Sequence, residues 1–453
     1  MSLGMAAGVL LAGGMATPAH AVTPVACTEA ALRTAIDNSN AGSGDTLSLI
    51  PYCVYTLTDV GGGALPTITQ PLVIQGNNAT IKRDTAASNF RIFDVGATSL
   101  QMSTLTVMNG RVTGDSGGGV LVTTSGGSLT ATDVNFQGNS AVQGGAIFTA
   151  NSTSVSLTGG TVNDNRATVD GGGIWALGAT TVTLTSVNMT DNRASGDGGG
   201  AYLNTSTPTT FINSTISHNT AQAAGGGIFY AGNNLLSVTG TTIADNRVTA
   251  STSGGGGILF VPSGGTGMIT GSTISGNTVT GFTNDTTSNR GGGIHSEAGA
   301  LTLNNTQVTG NQLVGAFGQG AGIATDGSGT ASTLTLQNGT TLTRNLASGQ
   351  YSQGGGLYTD NTSSPVTVMV DASHIDANKV TGTGSAAAGI YNNGSTYSFT
   401  TASSVNNNLA PAAPAPGGVY TTVAINSVDG ATFTGNTPTN CVFSPQPVTN
   451  CIG

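Results

Sequence analysis

Three carboxylates stand at one repeated place in the second half of the chain. Glu297, Asp326 and Asp360 each lie three positions after the apolar residue that closes a glycine-rich phrase, namely Ile294, Ile323 and Leu357. Asn393 follows Ile390 in the same way. Carboxylates held side by side repel one another and raise each other's pKa unless a cation or a proton intervenes. Such a row suits calcium, which takes oxygen ligands. It also suits the acid and nucleophile of a retaining glycosidase, whose carboxyl groups lie about 5–5.5 Å apart. Glu297, Asp326 and Asp360 are therefore the candidate catalytic or calcium-binding residues, and calcium is the one cofactor suggested. The bland alternative, solvated carboxylates on turns, is the commoner fate of such residues.

A second row precedes the first by two positions. Immediately after the apolar residue come Phe148, Trp175, Tyr202 and Phe229 in four successive units, then Leu259, His295, Ala324, Tyr358, Tyr391 and Tyr420. Strand alternation puts the apolar residue and the aromatic on opposite faces. If the apolar residues point inward, the aromatics form an outer ladder suited to sugar rings or a protein partner. If the aromatics point inward, they are a core stack, and that orientation is slightly favoured, although the carboxylates share the aromatics' parity. Phe148, Trp175, Tyr202, Phe229, His295 and Tyr358 are the candidate ligand-binding residues. A third row, Thr161, Thr215, Thr242, Thr273 and Thr341, raises ice binding as a remote reading, weakened by Asn188, Gln307 and His374 interrupting it.

Strands set these rows. The glycine phrase begins at Gly117, Gly144, Gly171, Gly198 and Gly225, each step 27 residues, and returns with looser spacing from Gly255 to Pro416. A second phrase places an apolar residue three positions before an Asn, as in Phe136 and Asn139, Val162 and Asn165, or Ile243 and Asn246. A fixed period in this range denotes a solenoid. Each unit holds about three short strands and three turns. That pattern predicts an all-β, right-handed parallel β-helix, the hand following from the crossover preference of parallel strands. About 11 coils at the interstrand spacing give a rod roughly 50–55 Å long. The recurring Asn is expected as an amide ladder.

Composition agrees. Of 453 residues 71 are Gly, and only 7 % are charged, against about a quarter in ordinary domains. The formal charge is −9 with 11 Lys and Arg and no basic run, which argues against a nucleic-acid partner. Residues 1–21 read as a secretory signal, with Ala19-His20-Ala21 as the cleavage site. No later segment approaches a transmembrane run, so no membrane insertion is expected after signal cleavage. Export makes disulfides admissible. Local pairing of Cys27 with Cys53 and of Cys441 with Cys451 would staple both ends. Residues 27–40 read as a capping helix, with Thr28 as N-cap and Leu32, Ala35 and Ile36 on one face. The domains expected are a signal at 1–21, an N-terminal cap at 22–60, the β-helix at 61–440 and a disulfide-closed cap at 441–453.

With these residues in view, the chain resembles secreted bacterial β-helix proteins with polymorphic-outer-membrane-protein-type repeats, in the pectate-lyase-like superfold. Their paired signatures occur here as Phe136-Gln137-Gly138-Asn139 and Gly144-Gly145-Ala146-Ile147, and the leader from Cys27 to Leu47 is similar to their cap. The resemblance implies an adhesin-like protein without the C-terminal barrel of the chlamydial members. The Asn-Thr-Asp, Asp-Asp, Gly-His-Gly and Arg-Ile-Lys strings of polygalacturonase-like enzymes do not occur. The expectation is a secreted, non-catalytic rod that binds an extracellular polysaccharide or a surface protein. The alternative is a polysaccharide lyase or glycoside hydrolase acting on an acidic polysaccharide through Glu297, Asp326 and Asp360.

Overall fold

A computed structural model describes residues 22–58, 64–249, 254–281, 289–327, 329–400, 402–411 and 415–453. The expected signal at 1–21 lies outside the described residues, as do residues 59–60 of the expected cap.

The chain winds as a parallel β-helix of about twelve coils. One sheet holds twelve strands, one per coil, from Phe93–Val95 to Val419–Thr421. The glycine phrases foretell one coil fewer, because the Phe93–Val95 coil is entered through Asn89-Phe90-Arg91-Ile92 and has no such phrase. A nine-stranded sheet runs from Ser140–Ala141 to Lys379–Thr381. The largest sheet takes two segments from most coils, such as Ser154–Thr158 and Thr161–Asn163. Every pairing among the described strands is parallel, and each residue pairs with its repeat equivalent: Ile147 with Ile174, Ile174 with Ala201, Ala201 with Ile228.

Two features of the repeat impose this register. The first is the glycine phrase, which turns the chain between the nine- and twelve-stranded sheets where neighbouring coils touch backbone to backbone. Gly171 sits at φ +66°, a region costly for side chains, and a Cβ on Gly172 would lie 2.3 Å from the Gly199 carbonyl oxygen. The second is the asparagine row, which runs unbroken inside the rod from Asn139 to Asn436. In each step the side-chain oxygen accepts both the backbone N–H and the amide of the Asn one coil earlier. Asn192 thus donates to Asn219 Oδ1 from N (3.0 Å) and from Nδ2 (2.9 Å). The amide also donates to a backbone carbonyl of the preceding coil, as Asn219 does to Met189 (3.0 Å). Asn408 belongs to the ladder as well, hidden in sequence by the run Asn406-Asn407-Asn408.

Apolar residues fill the lumen. Ile147, Ile174, Ile228, Ile294, Ile323 and Ile390 are fully buried, together with Phe136, Met189, Phe211 and Phe260. The helix α1 (Glu29–Ala41) covers the open first coil; the Thr28 hydroxyl accepts the Ala31 N–H, and Leu32, Ala35 and Ile36 face inward as read from the sequence. Both disulfides, Cys27–Cys53 and Cys441–Cys451, form. The second closes a loop whose Asn440 offers its Oδ1 to the Asn436 amide at 2.9 Å, so the ladder's last donor is satisfied by the cap. Both ends that could template edge pairing are therefore covered.

Candidate functional site

The outer face of the twelve-stranded sheet carries both rows. The apolar residues point inward, so the aromatics point outward, and the orientation favoured from sequence is corrected. The physical reason is the glycine turn, which fixes strand phase so that the residue after the last glycine enters the lumen. The ladder is not, however, a flat strip of ring faces. Phe148, Trp175, Tyr202 and Phe229 stack on one another along the rod, with centroid separations of 4.5, 5.8 and 4.7 Å and planes within 4–7° of parallel. Each ring spends its faces on its neighbours and offers an edge to solvent; Trp175 is only 6 % exposed. A second stack, Tyr358, Tyr391 and Tyr420, follows further along the rod at 5.6 and 4.8 Å. Burial raises the Tyr358 and Tyr391 hydroxyls, the latter to about 12.

Between the two stacks the row holds Leu259, His295 and Ala324, and here the carboxylates gather. Asp326, Asp360 and Asn393 pair in register, so the row expected from sequence exists, and Glu297 continues the line one coil earlier. What the sequence reading missed is Arg290. It occupies the two-residue strand Asn289–Arg290, directly before Gly291, where earlier coils have Asp170 and Asp197. That position was the available signal: Arg290 alone among the arginines immediately precedes a glycine phrase. Its side chain pairs with Asp326 Oδ2 and lies 3.7 Å from Asp360 Oδ2. Gln319 Oε1 accepts its Nε–H at 2.8 Å, and its guanidinium carbon stands 5.9 Å from the Tyr358 ring centre.

The cation that Asp326 and Asp360 meet in the fold is thus a guanidinium, at the row where the sequence suggested calcium. Among the described residues no three His, Cys, Asp or Glu side chains converge as metal ligands. Asp360 is held on every side: its Oδ1 accepts the Thr362 N–H (3.0 Å) and the Asn393 amide (3.1 Å), and its Oδ2 accepts the Tyr358 hydroxyl (3.4 Å). His295, 1 % exposed, lies under the row with Nε2 3.3 Å from Asp326 and Nδ1 3.6 Å from Glu297. Asp326 Oδ1 is buried with no hydrogen-bond donor among the described residues. Arg290, Glu297, Asp326, Asp360, Thr362 and Ser363 line a cleft of about 170 Å³. Arg290 and Glu297, with side chains 26 % and 21 % exposed, are its most open charged groups.

On the glycine-turn side of the first aromatic stack lie Asp170 and Asp197. The Asp197 backbone N–H donates to Asp170 Oδ1 at 2.8 Å. Burial first, then the Asp170 charge, pushes Asp197 up to about 6, against the lowering effect of the Ala224 N–H. The threonine row of Thr161, Thr215, Thr242, Thr273 and Thr341 is in register on the largest sheet with Asn188, Gln307 and His374 interrupting it.

No curated protein matches this sequence. Among solved structures the chain is similar to the A-module of the mannuronan C-5 epimerase AlgE6 of Azotobacter vinelandii, at 14 % identity, over 90 % of this chain and 95 % of that one, with a TM-score of 0.33. The family model described as the right handed beta helix region matches residues 100–289 and 145–341, which together span more than half the chain. Coil stacking, parallel register and this match agree, and the chain belongs to the right-handed β-helix family.

Proposed function

We propose that the protein is an extracellular, non-catalytic rod that binds a neutral, hydroxyl-rich polysaccharide at the cleft of Arg290, Glu297, Asp326, Asp360, Thr362 and Ser363. One observation carries this reading: hydroxyl acceptors crowd the cleft, where the 21 % exposed Glu297 carboxylate stands beside Asp326 and Asp360. A sugar hydroxyl that donates to a carboxylate makes a charge-assisted hydrogen bond, stronger than a neutral one. Three carboxylates outnumber the single guanidinium, so the cleft repels an acidic polymer and favours hydroxyl donors. Two disulfides fit an oxidising compartment. No helix among the described residues is long and apolar enough to cross a membrane.

Hydrolysis or lyase chemistry is the weaker reading. A glycosidase needs two carboxyl groups free to face the sugar. Asp360 is fully engaged and Asp326 is tied to Arg290 and His295, which leaves Glu297 alone. The test is a polysaccharide array read for both retention and cleavage, followed by Glu297→Gln and Asp326→Asn. Retention of neutral glycans without products, weakened at least tenfold in both variants, is the expected result. Unchanged binding in the variants sinks the cleft assignment. New reducing ends or unsaturated products overturn the non-catalytic reading.

A further inference from the structure

The sequence has no basic run, yet coil stacking builds one. On the nine-stranded sheet and its extension, Arg111 pairs with Ser140, Ser140 with Arg166, Arg166 with Arg193, Arg193 with Thr220, and Thr220 with Arg247. The four arginines of this row are exposed, because their partners across the strand, such as Ala167 and Ala194, take the inward positions. Among the described residues none of the four forms an ion pair with a carboxylate, whereas Arg33, Arg91 and Arg290 do. In a chain with a formal charge of −9 and 11 Lys and Arg, four exposed guanidiniums in one row without a direct ion pair stand out.

A polar groove of about 520 Å³ opens at the lower end of this row. Its lining is Arg83, Arg111 and Arg166 with Thr85, Asn109, Gly138, Ser140 and Thr168, and no acidic side chain contributes. Arg83 is fixed at the groove, 5 % exposed, donating to the carbonyls of Asn109, Asp84 and Ala87 at 2.8–2.9 Å. The neighbouring turn row explains why the groove lies here. Its left-handed positions are Asp164, Asp191 and Asp245 further along the rod, but Asn109 and Gly138 at this end. Carboxylates therefore flank Arg166, Arg193 and Arg247, while Arg111 and the groove floor have none beside them in that row. The Asp84 carboxylate accepts the Ala86 N–H.

We propose that this groove binds the carboxylate or sulfate groups of a linear anionic polysaccharide, at a site separate from the cleft on the twelve-stranded sheet. Arg111 and Arg166 stand two coils apart, about 9.6 Å at the interstrand spacing. That is the scale of a disaccharide in an extended chain of six-membered rings, so successive or alternate anionic groups meet successive arginines. Each planar guanidinium can hold a carboxylate or sulfate through two parallel hydrogen bonds. Thr85, Asn109, Ser140 and Thr168 supply partners for the ring hydroxyls between. Nucleic acid fits less well: no aromatic side chain lines the groove for base stacking, and the Asp164, Asp191 and Asp245 turns oppose a dense phosphate chain running up the row. Arg166, the groove's nearest arginine, lies four coils, roughly 20 Å, from Arg290 along the axis, so the rod carries a neutral-glycan cleft and an anionic-glycan groove on different sheets.

The experiment is titration calorimetry on the intact protein with three probes: an oligogalacturonate for carboxylate, a heparin oligosaccharide for sulfate, and a single-stranded oligothymidylate. The variants are Arg111→Ser with Arg166→Ser, since Ser140 already occupies this row, and Arg247→Ser as a control at an acid-flanked position outside the groove. Circular dichroism melts confirm that the variants fold. The expected result is binding of one or both anionic glycans that weakens at least tenfold in the double variant and weakens with added salt. Arg247→Ser should leave it within twofold. Absence of glycan binding, equal binding by the double variant, or tighter binding of oligothymidylate each overturns the proposal. The glycan arms tell carboxylate from sulfate. Neutral-glycan binding at the cleft should persist in the double variant, so failure of one site is distinguishable from failure of the other.

Discussion

Asn219→Ala removes one rung from the middle of the asparagine ladder, and its cost follows from the bonds it breaks. The Asn219 side chain accepts from Asn192 N and Asn192 Nδ2, and donates to the Met189 carbonyl (3.0 Å) and Asn246 Oδ1 (2.9 Å). In the alanine variant the Asn192 backbone N–H and one Asn192 amide hydrogen lose their acceptor, and the Met189 carbonyl loses a donor. Asn246 Oδ1 keeps its bond from the Asn219 backbone N–H at 3.0 Å. Asn192 and Asn219 are fully buried, so water cannot step in without opening the coil stack. Two orphaned donors at about 1–3 kcal/mol each, plus a weakened carbonyl, give a loss of about 4 kcal/mol. Asn219→Asp should be worse at neutral pH. It preserves both acceptor contacts but turns a charged oxygen toward Met189 O and Asn246 Oδ1, in a place with no compensating cation; protonation at low pH restores a donor. Because a solenoid is held by nearest-neighbour interfaces, the damage should be local. Urea unfolding measures the loss, and hydrogen exchange should show protection falling in the coils between residues 189 and 246 while distant coils keep theirs. A loss under 1 kcal/mol, or an alanine variant weaker than the aspartate variant at neutral pH, refutes the ladder as a main axial tie.

Arg290→Gln strips the guanidinium from Asp326 and Asp360; with Arg290 still a quarter exposed, about 2–3 kcal/mol should be lost, below the 3–5 of a fully buried pair. Arg290→Lys should recover only part of it, because one ammonium cannot span both carboxylates; full recovery in urea titrations contradicts this geometry. Asp197 carries a raised pKa of about 6, so the folded state holds its proton more tightly than the unfolded chain does. Its contribution is therefore favourable in acid and is lost as pH rises from about 4 through about 6. Asp197→Asn should match the parent near pH 4 and exceed it by about 1 kcal/mol near pH 8, after discounting for partial exposure; thermal melts at both pH values decide. Trp175→Ala opens a gap between the Phe148 and Tyr202 rings and should cost about 3 kcal/mol. The lone Trp should resist acrylamide quenching in the parent, and ready quenching would falsify its sandwiched placement.

The glycine phrase and the Asn three residues after an apolar position were enough to read the architecture. Both are local requirements, a turn that excludes a Cβ and an amide that must pair inside, and both recur from coil to coil through most of the rod, so the linear spacing maps directly onto the register. The capping helix was legible for the same reason: Thr28 and the Leu32, Ala35, Ile36 face lie within one continuous segment. The carboxylate row was legible because Asp326 and Asp360 keep the repeat phase even across the longer coils.

Tertiary structure decided what each row presents. That Phe148, Trp175, Tyr202 and Phe229 alternate with lumen residues is a sequence fact. That their faces are consumed by mutual stacking, leaving edges, depends on side-chain angles that only neighbouring coils set. The partner of the carboxylates could not be read from spacing, since Arg290 reaches Asp326 and Asp360 from 36 and 70 positions away in sequence. The arginine groove was invisible for a related reason. Arg83 and Arg111 belong to early coils with a different turn pattern, and nothing in the linear order shows that they converge with Arg166. Periodic sequence fixes which residues are neighbours along the rod; charge balance at any point on its surface depends on groups from several coils at once, and only the folded stack adds them together.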